Sequence, residues 1–323
     1  MKKKTNRKSV FITGGAGCIG LALVNYLVTK NYSVKLFDLP DQIEISKKFI
    51  NKKVKLIPGS ILDKSSMINS INKEDIVVHL AASLGVRNTE ENNYRCYQIN
   101  VRGTENILDI SMQKGVRKFI YASSSEVYGE PISNPITEEF KTYPKSIYAQ
   151  TKLMGEGLVK SYNQIDKNLK YIIFRFFNTY GKNQVAQFVL PRFINAAKKN
   201  QPLIINGKGN QVRGYCNSKD VAKGIEKGFS KRIFNETINL GNSKELIKLK
   251  QLAKLVIKES KSLSKIKFDK NFRDTDRESS REIFRRFCST KKATKLLNFR
   301  PKINLKLGIN ELIKLDIREF WPK

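Results

Sequence analysis

The chain has 323 residues, 40% of them hydrophobic and 10% aromatic, enough for one large domain or two smaller ones sharing a cleft and too apolar for an unfolded chain. Its 61 Lys and Arg against 29 Asp and Glu give a net charge of +32, but lysine is spread over nearly every segment, so the charge reads as compositional bias that disfavours a nucleic-acid footprint while suiting an anionic substrate. Cys18, Cys96, Cys216 and Cys288 lie far apart without a Cys-x-x-Cys spacing, which argues against a zinc site or disulfide framework, predicts no metal, and makes the cytoplasm the expected compartment.

Residues 1–8 are expected to form a basic, disordered tail, because only the short apolar run Val10 to Thr13 follows, too short for a signal-peptide core or a membrane span. That run is β-rich and leads into Gly14, Gly17 and Gly20, then into a helical pattern of Leu21, Leu23, Val24, Leu27 and Val28. Strand, glycine turn and helix in this order suit a pyrophosphate: glycine permits the sharp bend and the close approach, and the helix N-terminus faces the anion. A second strand, Val34 to Phe37, ends in Asp38, at the distance where a carboxylate takes the adenosine ribose hydroxyls. Asp38 would repel a 2′-phosphate, and Leu39 and Pro40 offer no cation, so NAD is expected over NADP.

A third strand, Val54 to Ile57, is followed by Gly59 and Asp63, and Asp63 either touches the adenine or caps the next helix. Asp75 to Leu80 forms a fourth, with Ala81, Ala82 and Ser83 at its carboxyl end, where ligands of open α/β sheets bind. His79, the only histidine, sits within that apolar run and reads as core. Tyr94 to Lys114 forms one long amphipathic helix carrying Asn100 and Gly103. Lys118 to Ala122 then delivers Ser123, Ser124 and Ser125 to the same edge as the glycine turn. If a helix opens at residue 147, Tyr148 and Lys152 share one face, one turn apart. Alone, such a pair is commonly a surface feature; beside serine hydroxyls it is acid/base equipment, because a cation stabilises the phenolate.

Tyr171 to Phe177 is another strand, ending at Asn178. Beyond it the pattern is mixed: helices at Val189 to Lys199, Leu246 to Lys258 and Thr290 to Leu297, short strands at Leu203 to Asn206 and Glu236 to Leu240, and a basic segment, Lys261 to Arg286, to which no structure is assigned. The expected fold is α/β, a Rossmann-type doubly wound parallel sheet with a smaller mixed α/β C-terminal substrate lobe. Residues 9–180 are the NAD-binding domain, and residues 181–323 are mainly the substrate lobe, interleaved with the last elements of the sheet.

Several strings together resemble the extended short-chain dehydrogenase/reductases of the nucleotide-sugar epimerase and dehydratase family: TGGAGCIG at 13–20, HLAAS at 79–83, SSSEVYG at 123–129, YAQTK at 148–152, RFFNTYG at 175–181, and GKGNQVR at 207–213. The resemblance covers roughly residues 9 to 315. It implies Ser124, Tyr148 and Lys152 as catalytic residues, with Glu126 as a candidate base. It places NAD on Gly14, Gly17, Cys18, Ile19, Gly20, Asp38, Ile61, Asp63, Leu80, Ala81, Ala82, Asn100, Tyr148 and Lys152. It places a nucleotide-diphosphate sugar on Ser83, Arg87, Ser125, Asn178, Arg192 and Arg213, and it implies a homodimer. The chain departs from the family at Cys18, where an aromatic is usual, at Lys182 for a proline, and at Cys288-Ser289 for proline-aspartate. The last departure leaves open which of Arg281, Arg285 and Arg286 faces substrate.

Members of such a family begin by oxidising the sugar at C4. The resulting expectation is an NAD-dependent nucleotide-sugar 4-epimerase in cell-surface polysaccharide precursor synthesis. The alternatives are a 4,6-dehydratase or UDP-glucuronate decarboxylase using Glu126, and, from another class, a non-catalytic nucleic-acid binder using the +32 charge.

Overall fold

The computed structural model describes residues 7–269 and 282–316; the expected tail up to residue 6 and Arg281 lie outside the described residues. From the N-terminus run β1 (Ser9–Thr13), α1 (Cys18–Thr29), β2 (Ser33–Asp38), α2 (Pro40–Ser46), β3 (Lys55–Pro58), α3 (Lys64–Ile68) and β4 (Asp75–His79). Next come α4 (Val86–Glu91), α5 (Asn93–Tyr97), a π-helical segment (Gln98–Arg102), α6 (Gly103–Gln113), β5 (Lys118–Ser124), α7 (Ile147–Ile165), β6 (Lys170–Phe176) and β7 (Thr179–Tyr180). The remainder comprises α8 (Val189–Lys198), β8 (Leu203–Asn206), β9 (Val212–Gly214), β10 (Cys216–Asn217), α9 (Ser218–Lys227), β11 (Glu236–Leu240), β12 (Leu246–Lys248), α10 (Leu249–Ser260), β13 (Ile266–Asp269), β14 (Arg285–Arg286), α11 (Lys291–Leu297) and α12 (Leu305–Ile313).

Seven strands form one sheet in the order β11-β6-β5-β4-β1-β2-β3, and every pairing is parallel. Parallel strands covered on both faces are apolar throughout, as in Val10, Phe11 and Ile12, all fully buried. Their side chains alternate between two cores. Val10, Ile12, Leu36 and Val78 pack with Leu23, Val24, Leu27 and Ile225 on one face; Phe11, Phe37, Val77 and Tyr121 pack with Ile107, Leu108 and Val159 on the other. After β3 the chain returns to the far side of β1, and the crevice opened at the carboxyl ends of β1 and β4 is where such sheets bind ligands. A third core, with Phe193, Leu203, Ile205, Leu252, Val256 and Ile309, holds together α8, α10, α12 and β8, above that edge.

Three expectations change. The helix expected from Leu246 starts at Leu249, because residues 246–248 pair antiparallel with β9. The helix expected from Tyr94 to Lys114 is interrupted by the π-helical turn Gln98–Arg102, a local widening often found at functional sites. The segment Lys261 to Arg286 does carry structure at its ends: β13 runs parallel to β8, and β14 parallel to β9.

Candidate active site

The glycine turn between β1 and α1 is shaped by close backbone approach. Gly14 has φ +69°, and a Cβ there would lie 2.6 Å from the Ala81 nitrogen; at Gly20 it would lie 2.2 Å from the Gly14 carbonyl oxygen. Gly17 caps α1 without a side chain, so the first-turn N–H groups stay open to a ligand. The Asp38 carboxylate accepts from the Ala16 N–H at 2.9 Å and the Leu39 N–H at 2.9 Å, which sets it beside the turn at the end of β2. Gly14, Gly17, Cys18, Ile19, Gly20, Leu80 and Ala82 line one cavity. The cradle that side chains would fill, the open helix terminus and the neighbouring carboxylate fit an adenine dinucleotide. The Cys18 thiol is pushed up to about 12 by burial, with a hydrogen bond to Ser218 opposing, so it stays protonated at neutral pH.

Other expected cofactor residues stand one layer back. Ala81 packs on Gly14, and Ile61 packs on Gly103, where a Cβ would meet it at 2.5 Å. Asp63 takes the capping alternative: it caps α3, accepting from the Ser65 N–H at 2.9 Å and the Ser65 hydroxyl at 2.7 Å. Asn100 is a clip, accepting from the Ser83 N–H at 2.7 Å and donating to the Ser83 carbonyl at 3.2 Å and the Thr151 hydroxyl at 3.0 Å. It ties the loop after β4 to α7. His79 is core, as expected: it bridges Thr13 at 2.7 Å and Thr104 at 3.0 Å, and burial, helped by the Lys152 charge, pushes its imidazole down to about 3.

Ser124, Tyr148 and Lys152 line the same cavity as the glycine turn. Ser124 ends β5, and α7 begins just before Tyr148 because the Ser146 hydroxyl accepts from the Ala149 N–H at 3.2 Å. Lys152 is 3% exposed, and its ammonium sits 4.5 Å from the centre of the Tyr121 ring. Burial pushes it down to about 7, with Glu156 and Cys96 pulling upward. One turn further along, Glu156 forms a buried pair with Arg175, at 2.9 Å and 2.7 Å, and accepts from the Ser123 hydroxyl. The sheet below the serines is thereby locked to the helix carrying Tyr148.

Glu126 and Ser125 also reach the cavity. The Glu126 N–H donates to the Ser124 hydroxyl at 3.2 Å, and its carboxylate pairs with the guanidinium of Arg286. Of the three C-terminal arginines left open by sequence, Arg286 is the one described on the cavity wall; Arg285 is exposed. Arg286 Nε, Asn178 Oδ1 and Gln184 Oε1 are buried without a hydrogen-bond partner, on three residues of the cavity wall. Arg213 is not on the wall, because Glu282 at 2.9 Å and the carbonyls of Ile283 and Phe284 hold its guanidinium. Arg192, on α8, and Ser83, held by Asn100, also lie off the described wall. The side chain of Arg87 lies outside the described residues. Sequence reasoning missed Gln184, Phe188 and Tyr215, which line the cavity; nothing in their spacing marks them, since the lobe that brings them there is long-range.

Among the described residues no cluster of His, Cys, Asp or Glu could hold a metal ion, and no helix is long and apolar enough to cross a membrane. Residues 10–241 match the model of the NAD dependent epimerase/dehydratase family. The chain is 35% identical over 310 residues to a putative UDP-glucose 4-epimerase of Methanocaldococcus jannaschii, covering 94% of this chain and 97% of the relative. It is 32% identical to a UDP-N-acetyl-alpha-D-glucosaminuronate decarboxylase of Bacillus cytotoxicus, covering 95% and 97%. Its fold is similar, with a TM-score of 0.86 and 25% identity over 95% and 97% of the two chains, to a Thermotoga maritima UDP-glucose 4-epimerase solved with UDP-glucose. With the cavity, these likenesses identify the chain as a member of the NAD-dependent epimerase/dehydratase family, extended short-chain dehydrogenase/reductases acting on nucleotide sugars.

Proposed function

We propose that this chain is a nucleotide-sugar 4-epimerase that works through a transient 4-keto sugar. The observation that carries the reading is the convergence of Ser124, Tyr148 and Lys152 with the glycine turn in one cavity. NAD, held by Gly14 to Gly20 and Asp38, supplies the acceptor and donor of hydride when bound. Tyr148 takes the proton from the sugar 4-hydroxyl, and Ser124 hydrogen-bonds that oxygen. Lys152 in its protonated form lowers the cost of the phenolate. Asn178, Gln184 and Arg286 give the cavity a polar wall for the nucleotide sugar. Epimerisation then needs only that the 4-keto sugar turn over and receive hydride on its other face.

The Glu126 pairing bears on the alternatives. Dehydration needs a carboxylate that reaches the C5 proton, and the Glu126 carboxylate is engaged by the Arg286 guanidinium, so the contact counts against a 4,6-dehydratase. Arg286 on the cavity wall also supports a second reading, decarboxylation of a nucleotide uronate. A guanidinium suits a C6 carboxylate, and once C4 is a ketone that acid is a β-keto acid, whose C5–C6 bond breaks with loss of carbon dioxide. The two separate on incubation of the protein and NAD with UDP- and GDP-linked hexoses and uronates, followed by mass spectrometry. Unchanged mass with inverted C4 supports the epimerase; loss of carbon dioxide overturns it for the decarboxylase, and loss of water overturns both.

Pairing of two copies is part of the proposal. Tyr94 and Tyr97 of α5 and Met154 of α7 are large exposed apolar residues on two helices that pack together, and a second copy would cover them. A place in the cytoplasm, in polysaccharide precursor synthesis, accords with nucleotide-sugar chemistry.

A further inference from the structure

The peptide of Ala16, in the middle of the glycine turn, is gripped from both ends. Its N–H donates to Asp38 at 2.9 Å. Its carbonyl accepts from the Asn183 amide at 2.6 Å and from the Ser46 hydroxyl at 3.0 Å, and the same Asn183 amide donates to Ser46 at 2.7 Å. Ala16 and Ser46 are fully buried, while the bonds from Asn183 are part-buried, so a lost partner costs more than it would at the open surface. Asn183 reaches the turn from outside the mononucleotide half. It follows the strand end bearing Asn178 and precedes Gln184, whose amide donates to the Thr179 carbonyl at 3.0 Å. Its backbone has φ +65°, a left-handed conformation that only asparagine, aspartate and glycine adopt cheaply. The segment from Asn178 to Gln184 thus lines the cavity and holds the glycine turn with Asn183.

We infer that Asn183 is a positioning residue for the dinucleotide: its amide, with Ser46, fixes the Ala16 peptide and so the turn on which the pyrophosphate rests. The inference rests on the proposal that NAD lies on the glycine turn. Asn183 touches no reacting atom. Its effect falls on cofactor affinity and leaves turnover at saturating NAD intact.

Glycine is the informative replacement, because it keeps the left-handed backbone and removes only the amide. Asn183→Gly in the full chain is expected to weaken NAD binding about tenfold, measured by titration calorimetry, with an unchanged turnover number at saturating NAD and a melting temperature of the NAD-free protein lowered by no more than the few degrees that one lost hydrogen bond costs. NAD affinity within about twofold of wild type, or a turnover number at saturating NAD that falls together with the affinity, overturns the inference. Asp38→Ala separates the two levels. If it also leaves NAD affinity unchanged, the glycine-turn assignment fails together with the inference; if it weakens NAD while Asn183→Gly does not, the inference alone fails. Ser46→Ala is expected to weaken NAD too, and to add little in the double variant because both side chains serve one carbonyl.

Discussion

Tyr148, Lys152 and Ser124 were legible in sequence because their chemistry is local: four residues on a helix and a triplet at a strand end. What surrounds them was not. Glu156 looks like any helix glutamate until the fold sets it against Arg175 and Ser123, and Arg286 is one of several arginines until β14 lays it beside Glu126. His79 shows the reverse case, where an apolar run correctly marks a core residue. Burial and the Lys152 charge keep its imidazole neutral down to about 3, below the ordinary 6.5. The unfolded chain therefore binds more protons between those values, and stability rises with pH across that window and falls as acid is added. Chemical denaturation from pH 6.5 downward should show this loss for wild type and a flatter acid limb for His79→Gln, which offers donor and acceptor without titrating. An identical slope in the variant would remove His79 from the acid sensitivity.

At the scale of elements, periodicity placed the parallel strands to within a residue or two, because a strand covered on both faces must be apolar throughout. It failed where local pattern and pairing compete. Leu246 to Lys248 carries the apolar spacing of the helix that follows, yet β9 takes it as a strand, and the π-helical turn at Gln98–Arg102 leaves no periodic mark. The seat of α7 on the sheet was equally silent. At Gly155 an added Cβ would lie 2.0 Å from the Tyr121 hydroxyl oxygen, and that O–H donates to the Lys152 carbonyl at 3.3 Å. Glycine there lets the helix lie flat on the ring that Lys152 overlies. Gly155→Ala is expected to destabilise the protein by about 1–3 kcal/mol through overpacking and to lower turnover with it, because the shift is felt at Lys152. Denaturant unfolding and steady-state kinetics on the same preparation check both; wild-type stability would show that the contact relaxes without cost.

For the whole molecule, fold class and cofactor came from the order of motifs, and the family follows from the match over residues 10–241. The wall opposite the glycine turn did not come through, since Gln184, Phe188, Tyr215 and Arg286 belong to segments far apart in the chain. The net charge of +32 finds no role in this site beyond favouring an anionic nucleotide sugar. A nucleic-acid role would need binding that weakens steeply with salt, and the cavity supplies no reason for one. The central claim, that Tyr148 drives reversible oxidation at C4, is tested most directly with a nucleotide sugar deuterated at C4. Wild type should return product with the deuterium still at C4 and with slowed turnover of the labelled sugar. Tyr148→Phe should lower turnover by at least about a hundredfold with NAD still bound, as expected for loss of a positioned acid/base. Product that has exchanged its C4 deuterium for solvent hydrogen, or near wild-type turnover by Tyr148→Phe, would contradict the account.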